Sequence, residues 1–431
     1  MTEPTTTRPT GLGLIGATSL AITIVVGSGA LILPGIAYRD VGRDALWAWV
    51  LAAALALPLL VVLGRLGRAL PDAAGVTGYL RAALGARAAA GAELLLMGTF
   101  MFGIPGIALA GGHYLAAAAG LPASLGAAGA LVLMALAAVL NCLGTRLSGA
   151  VQSVLCVVLV AALLFIALCG TFLGEVSDPL PDVSAQALHL GLSGVGTVFF
   201  AFTGWELVSF TTREYARPKR DFPLVLALSY LVVVALYCLI AIAVQSTLPA
   251  DTAHVDLRPM ELVVDTLFGA TAAQSMAMVS TVLLLASVLG NFWAASRLVA
   301  SSAEEGLLPA RLAAVNRFGV PHRAIVLCAL AFGAVIVANG TGHVSIAGAL
   351  ELAGKNFLLL YLLCCVAHIR LFPGVLDRTL GLGSAALLAI PLLTFEPISL
   401  LWAAFLLTAG FFLGGRARVS EKSPVKDRML R

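Results

Sequence analysis

Charge is what this chain has least of. Only 11% of its 431 residues are Asp, Glu, Lys or Arg, and the mean hydropathy is +1.01, whereas a soluble domain carries roughly a quarter charged residues. That supply cannot clothe a water-soluble surface, so the composition belongs in a bilayer. Catalytic signatures are missing too. There is no H-E-x-x-H, no G-x-x-x-x-G-K-[ST], and no nucleophile with a matching base at membrane depth. These gaps argue against an enzyme and against a nucleotide-driven pump, and no metal or organic cofactor is expected. The seven cysteines (142, 156, 169, 238, 328, 364, 365) lack C-x-x-C spacing and fall in or beside apolar segments. They read as reduced packing residues.

What is present is a long series of apolar runs near the ~20 residues a spanning helix needs. About twelve are expected, near 12–37, 45–63, 90–112, 124–143, 149–173, 190–212, 223–247, 273–296, 323–340, 344–369, 380–395 and 398–414. The first lacks a small-residue cleavage site and is too long for a leader's apolar core, so it reads as a span. With the N-terminus inside, 22 of the 26 Lys and Arg residues fall in inner segments and three (Arg39, Arg43, Arg258) in outer loops. The positive-inside rule then puts both termini in the cytoplasm of a multi-pass inner-membrane protein. Those inner loops account for the formal net charge of +4 without a nucleic-acid partner. The inner stretch Arg65–Arg87 has room for a short interfacial helix.

Two spans carry interruptions. Gly27-Ser28-Gly29 sits in the first, with Pro34 beyond it, and Phe200-Ala201-Phe202-Thr203-Gly204-Trp205-Glu206 sits in the sixth. Breaks at membrane depth leave backbone groups that lipid cannot satisfy, so they are tolerated where they face a cavity. Gly-x-Gly also permits plain close helix packing. The breaks lie about 176 positions apart, with five spans before the polar join at 174–189 and five after it. An odd number of spans per half inverts the second copy and points to a site on the pseudo-symmetry axis. The expected organisation is a disordered cytoplasmic segment 1–11, a first repeat 12–173, the extracytoplasmic join 174–189, a second repeat 190–371, a helical hairpin 372–414 and a cytoplasmic tail 415–431.

These residues resemble the amino acid–polyamine–organocation transporter superfamily. The Gly-Ser-Gly break is similar to its first motif, and Phe202-Thr203-Gly204-Trp205-Glu206 followed by Arg217-Pro218-Lys219-Arg220-Asp221-Phe222-Pro223 to its second. Glu304-Glu305-Gly306-Leu307-Leu308-Pro309 resembles a third. Within the superfamily, the 431-residue length and the Arg220-Asp221-Phe222-Pro223 start of span seven most resemble bacterial exporters of methionine and branched-chain amino acids. Arg217 stands where the family usually has asparagine. The resemblance implies an all-α integral membrane protein of LeuT-type fold, a 5+5 inverted repeat plus two C-terminal helices.

It also implies roles. The amides of Ser28 and Gly29, beside Gly27, would hold a substrate carboxylate, with the Ser28 hydroxyl as helper. The carbonyls of Val25, Phe200 and Thr203, beside Gly204, would accept from its ammonium, with Phe200 or Phe202 as lid. Apolar and aromatic surroundings (Phe100, Met101, Phe102, Trp205, Trp293, with Asn291) suit an apolar or thioether side chain, because a charged one would be left unpaired at a cost of several kcal/mol. Intramembrane ionisable groups are functional candidates. Glu206 is read either as an ion-coupling carboxyl or as a structural one that bonds the broken helix ends. Lys355 either pairs with Glu351 at i,i+4 or stands in for a bound cation.

The expected activity is proton-driven efflux of methionine, leucine, isoleucine and valine. An uptake permease or an exchanger is the alternative within transport, and a channel or non-catalytic receptor the alternative outside it. A channel would need a continuous polar lining, which the spans lack. Besides substrate, protons and lipid no partner is required, and a homodimer is left open.

Overall fold

The computed structural model describes residues 13–71, 73, 75–144, 149–176, 180–249, 251–394 and 397–415. The 1–11 segment and all but the first residue of the 415–431 tail lie outside them. Among the described residues the chain is helical and has no strand: α1 (Leu14–Val41), α2 (Ala45–Ala69), α3 (Gly75–Leu84), α4 (Ala86–Ala118), α5 (Gly126–Cys142), α6 (Gly149–Leu173), α7 (Ala185–Phe199), α8 (Trp205–Val208), α9 (Pro218–Thr247), α10 (Pro259–Phe268), α11 (Ala270–Glu304), α12 (His322–Gly340), α13 (Ile346–Leu371), α14 (Val375–Thr394) and α15 (Pro397–Gly414). Nine apolar stretches among them are long enough to cross a membrane, the first holding both α1 and α2, and Val157–Leu173 and Leu400–Gly414 are shorter apolar helices.

Two helices form the centre. α1 packs against α9, α6, α7 and α11, while α4 packs against α5, α11, α13 and α15. In such buried helices apolar residues face every direction, so no single stripe marks the core. The short helix anticipated in the loop after α2 is α3. It lies against α4 and α13. The helix α10, between α9 and α11, was not anticipated. Its ten residues are too few to span, although Pro259 at its start and Gly269 just past its end are ordinary helix boundary signals.

The two expected interruptions have different outcomes. Span six is broken: α7 ends in a 3-10 turn at Phe200–Phe202, Thr203 is extended, and Gly204 has φ 112° before the single turn α8 and a 3-10 stretch, Ser209–Glu214. Span one is not broken. α1 runs through Gly27-Ser28-Gly29 and past Pro34 without leaving helical geometry. Glycine lowers helix propensity, but an unpaired amide in a dry interior costs more than the propensity it forfeits. What the glycines provide here is proximity. A Cβ on Gly27 would come within 2.9 Å of Ser287 Oγ, and one on Gly29 within 2.8 Å of Ala201 Cβ and 2.9 Å of Tyr237 Oη. α11 and the span-six link therefore approach the α1 backbone directly.

Candidate substrate-binding site

The broken span is held open by its own side chains. Gly204 N–H donates to both carboxylate oxygens of Glu206, at 2.9 and 3.0 Å. The carboxylate thus reaches back to the cap of its own short helix, as in a capping box. Tyr361 of α13 donates its hydroxyl to Glu206 Oε2. Glu206 is 0% exposed, so both bonds form where water does not compete. The structural reading of Glu206 is therefore visible, and Tyr361 is a partner that no sequence motif indicated. Trp205 anchors the second piece elsewhere: its Nε1–H donates to Ser229 Oγ of α9 at 3.0 Å.

A cavity lies between the link and the surrounding helices. α1 contributes Ile24, Val25 and Gly29; α4 contributes Thr99, Phe100, Gly103, Ile104 and Ile107. Phe200, Thr203, Gly204, Glu206 and Leu207 come from span six, Ser287 and Asn291 from α11, and Phe357 from α13. Of the residues singled out in the sequence, Val25, Gly29, Phe100, Phe200, Thr203, Gly204, Glu206 and Asn291 meet here.

Others point elsewhere. Phe202 packs on Trp49 and Tyr237, with ring centroids 6.0 and 5.4 Å away. Phe102 is edge-on to Trp402 of α15, and the Trp293 ring lies 4.2 Å below the Arg297 guanidinium. Met101 is half-buried outside the lining. Gly27 faces Ser287, and the side chain of Ser28 lies outside the described residues. Lys355 pairs with Glu351 at 2.7 Å and is not among the cavity residues. Thr99, Gly103, Ser287 and Phe357 were missed because single small or apolar residues inside a span carry no periodic signal.

The polar groups in the lining are unevenly committed. The Val25 carbonyl accepts from the Tyr237 hydroxyl at 3.0 Å, and the same hydroxyl lies 3.1 Å from the Ala201 carbonyl. The Phe200 carbonyl accepts from Thr203 N and Oγ1. Two of the three carbonyls expected to face an ammonium are thus engaged. Among the described residues no hydrogen bond reaches the third, that of Thr203. Thr99 Oγ1 and Asn291 Nδ2 donate to carbonyls of their own helices, which leaves acceptor lone pairs on Thr99 Oγ1 and Asn291 Oδ1 for a guest. Among the described residues no Lys, Arg or His lines the cavity, and no group of His, Cys, Asp or Glu could hold a metal ion.

Away from the cavity, Arg81 of α3 bonds both Glu93 of α4 and Glu305 beyond α11, while Ser302 donates to Glu93. Burial pulls the Arg81 guanidinium down, but the bonds to the two carboxylates outweigh it and hold it above its ordinary value.

Residues 12–426 match the amino acid permease family. The chain belongs to that family. YecA of Bacillus subtilis (strain 168), an uncharacterized amino acid permease, is 28% identical over 412 residues, covering 92% of this chain and 94% of YecA. The L-methionine/branched-chain amino acid exporter YjeH of Escherichia coli (strain K12) is 25% identical and covers 84% and 86%. The serine/threonine exchanger SteT of B. subtilis (strain 168) is 23% identical over 91% and 89%. Among solved structures, a mutant of the Eremococcus coleocola manganese transporter superposes with a TM-score of 0.59 at 14% identity, covering 94% of each chain. That likeness shows the fold alone, the LeuT-type transporter fold. The permease is thus a multi-pass membrane protein whose relatives are transporters of amino acids.

Proposed function

We propose that this permease is a secondary transporter of neutral amino acids with apolar side chains (methionine, leucine, isoleucine and valine), exporting them across the inner membrane with protons moving through Glu206 and both termini cytoplasmic. The carrying observation is the cavity at the span-six break, where a fully buried carboxylate meets walls of Ile104, Ile107, Phe100 and Phe357. An acidic side chain would find no cation on those walls, and for a basic one the single carboxylate, Glu206, is already engaged by Gly204 N–H and Tyr361. The exporter YjeH supports the same substrate class.

In this reading the Thr203 carbonyl, Thr99 Oγ1 and Asn291 Oδ1 take the ammonium. The turn at Gly27–Gly29, helical in α1, uncoils during transport so that the Ser28 and Gly29 amides meet the carboxylate. Lys355, neutralised by Glu351, leaves coupling to Glu206.

Counterflow of labelled leucine in proteoliposomes tests the class. Methionine, isoleucine and valine are expected to compete within roughly 10–200-fold of leucine, the span that one methylene is worth, and arginine and glutamate are expected not to compete. Strong competition by arginine would refute the apolar-pocket reading.

A further inference from the structure

Thr99, Gly103 and Ile107 recur at i, i+4 and i+8 on α4, so one face of that helix forms a wall of the cavity. Gly103 is the one of the three without a side chain. A Cβ placed on it would lie 3.2 and 3.4 Å from Cε2 and Cζ of the Phe200 ring and 3.5 Å from Ala353 Cβ. The first distance is tighter than ordinary van der Waals contact and the second stands at its lower edge, so the ring would have to give by a few tenths of an ångström.

Phe200 has little room to do so. Its ring packs against Phe357 on α13, centroids 6.3 Å apart at 45°. Its backbone N and Cβ sit 3.7 Å from where a Cβ of Gly354 would stand. Its carbonyl is tied to Thr203 N and Oγ1. Phe200 is therefore wedged between α4 and α13, at the mouth of the break, and the missing side chain of residue 103 sets how far its ring lies from the α4 wall.

We propose that Gly103 is a positioning residue that fixes the bulk of side chain the site accepts, acting through the Phe200 ring. This rests on the transport reading above and deepens it. With hydrogen at 103 the ring lies back against α4 and the cavity admits branched and thioether side chains. A methyl there occupies that volume and displaces the ring, and close-packed interiors absorb such insertions poorly. The small amino acid alanine would still fit.

The test is binding of leucine, methionine and alanine to the purified full-length protein. In Gly103→Ala, affinity for leucine and methionine is expected to fall about tenfold or more relative to alanine, the lower end of what one methylene is worth in a pocket. Adding Phe200→Leu to that variant removes the ring the methyl strikes and should restore the leucine-to-alanine ratio. Phe357→Leu in the native background, which frees the ring on its other side, should shift the ratio toward bulkier side chains and keeps the proposal testable should Gly103→Ala fold poorly. An equal loss for leucine and alanine, unchanged binding in Gly103→Ala, no rescue by Phe200→Leu, or an unmoved ratio in Phe357→Leu would each overturn it. A native protein that binds none of the three would instead overturn the transport reading itself, a failure visible before any variant is made.

Discussion

Gly204 meets two demands with one hydrogen. Its φ of 112° is open to glycine and strained for any L side chain, and a Cβ there would also stand 3.3 Å from Ile24 Cγ2 and Val25 Cγ2 of α1. Gly204→Ala is therefore expected to destabilise the permease by about 1–3 kcal/mol, read as a lower melting temperature in detergent, and to weaken leucine binding. A melting temperature equal to wild type would contradict the backbone argument. Glu206 stands out in the sequence because a carboxylate in an apolar run is costly without a partner, and a bond to the broken helix end, here Gly204 N–H, is one of its two readings, yet the sequence could not reveal the distant Tyr361. Lys355 shows the converse. Its i,i+4 spacing from Glu351 offers the pair as one of two readings, beside that of a stand-in for a bound cation, and the pair forms.

Among elements, the two glycine-containing interruptions differ because of what replaces the lost helix bonds. At span six, Glu206, Thr203 and Tyr361 provide partners for the ends of the break. At Gly27–Gly29 the helix keeps its own bonds, and the neighbours use the absent Cβ atoms to approach. Sequence shows where a helix can break; partners brought from other elements decide whether it does. The long spans, the broken sixth and the short helix α3 were legible from apolar runs and breaker residues, whereas α10 was not, being short and outside the span pattern.

α3 also carries a prediction. Arg81 ties it to Glu93 and Glu305. Since Arg81 is half-exposed, Arg81→Gln is expected to cost less than about 1 kcal/mol of global stability while accelerating amide hydrogen exchange in residues 75–84, an effect that high salt reproduces in the native protein. Unchanged exchange there would show that the ion cluster does not hold α3.

At the scale of the whole molecule, a LeuT-type scaffold holds a cavity at its broken sixth span with a buried carboxylate in its lining. Each part has a physical reason to be there, and together they support the proposed exchange of protons against neutral amino acids without sodium. Proteoliposomes carrying either the native protein or Glu206→Gln, given a pH gradient in sodium-free buffer or a sodium gradient at uniform pH, test this most directly. With an imposed pH gradient the native protein is expected to accumulate labelled leucine against its concentration gradient. Glu206→Gln should retain leucine-for-leucine exchange and lose that accumulation. Accumulation by the native protein that ignores the pH gradient and follows sodium, or a Glu206→Gln variant that still concentrates leucine with the pH gradient, would contradict the account.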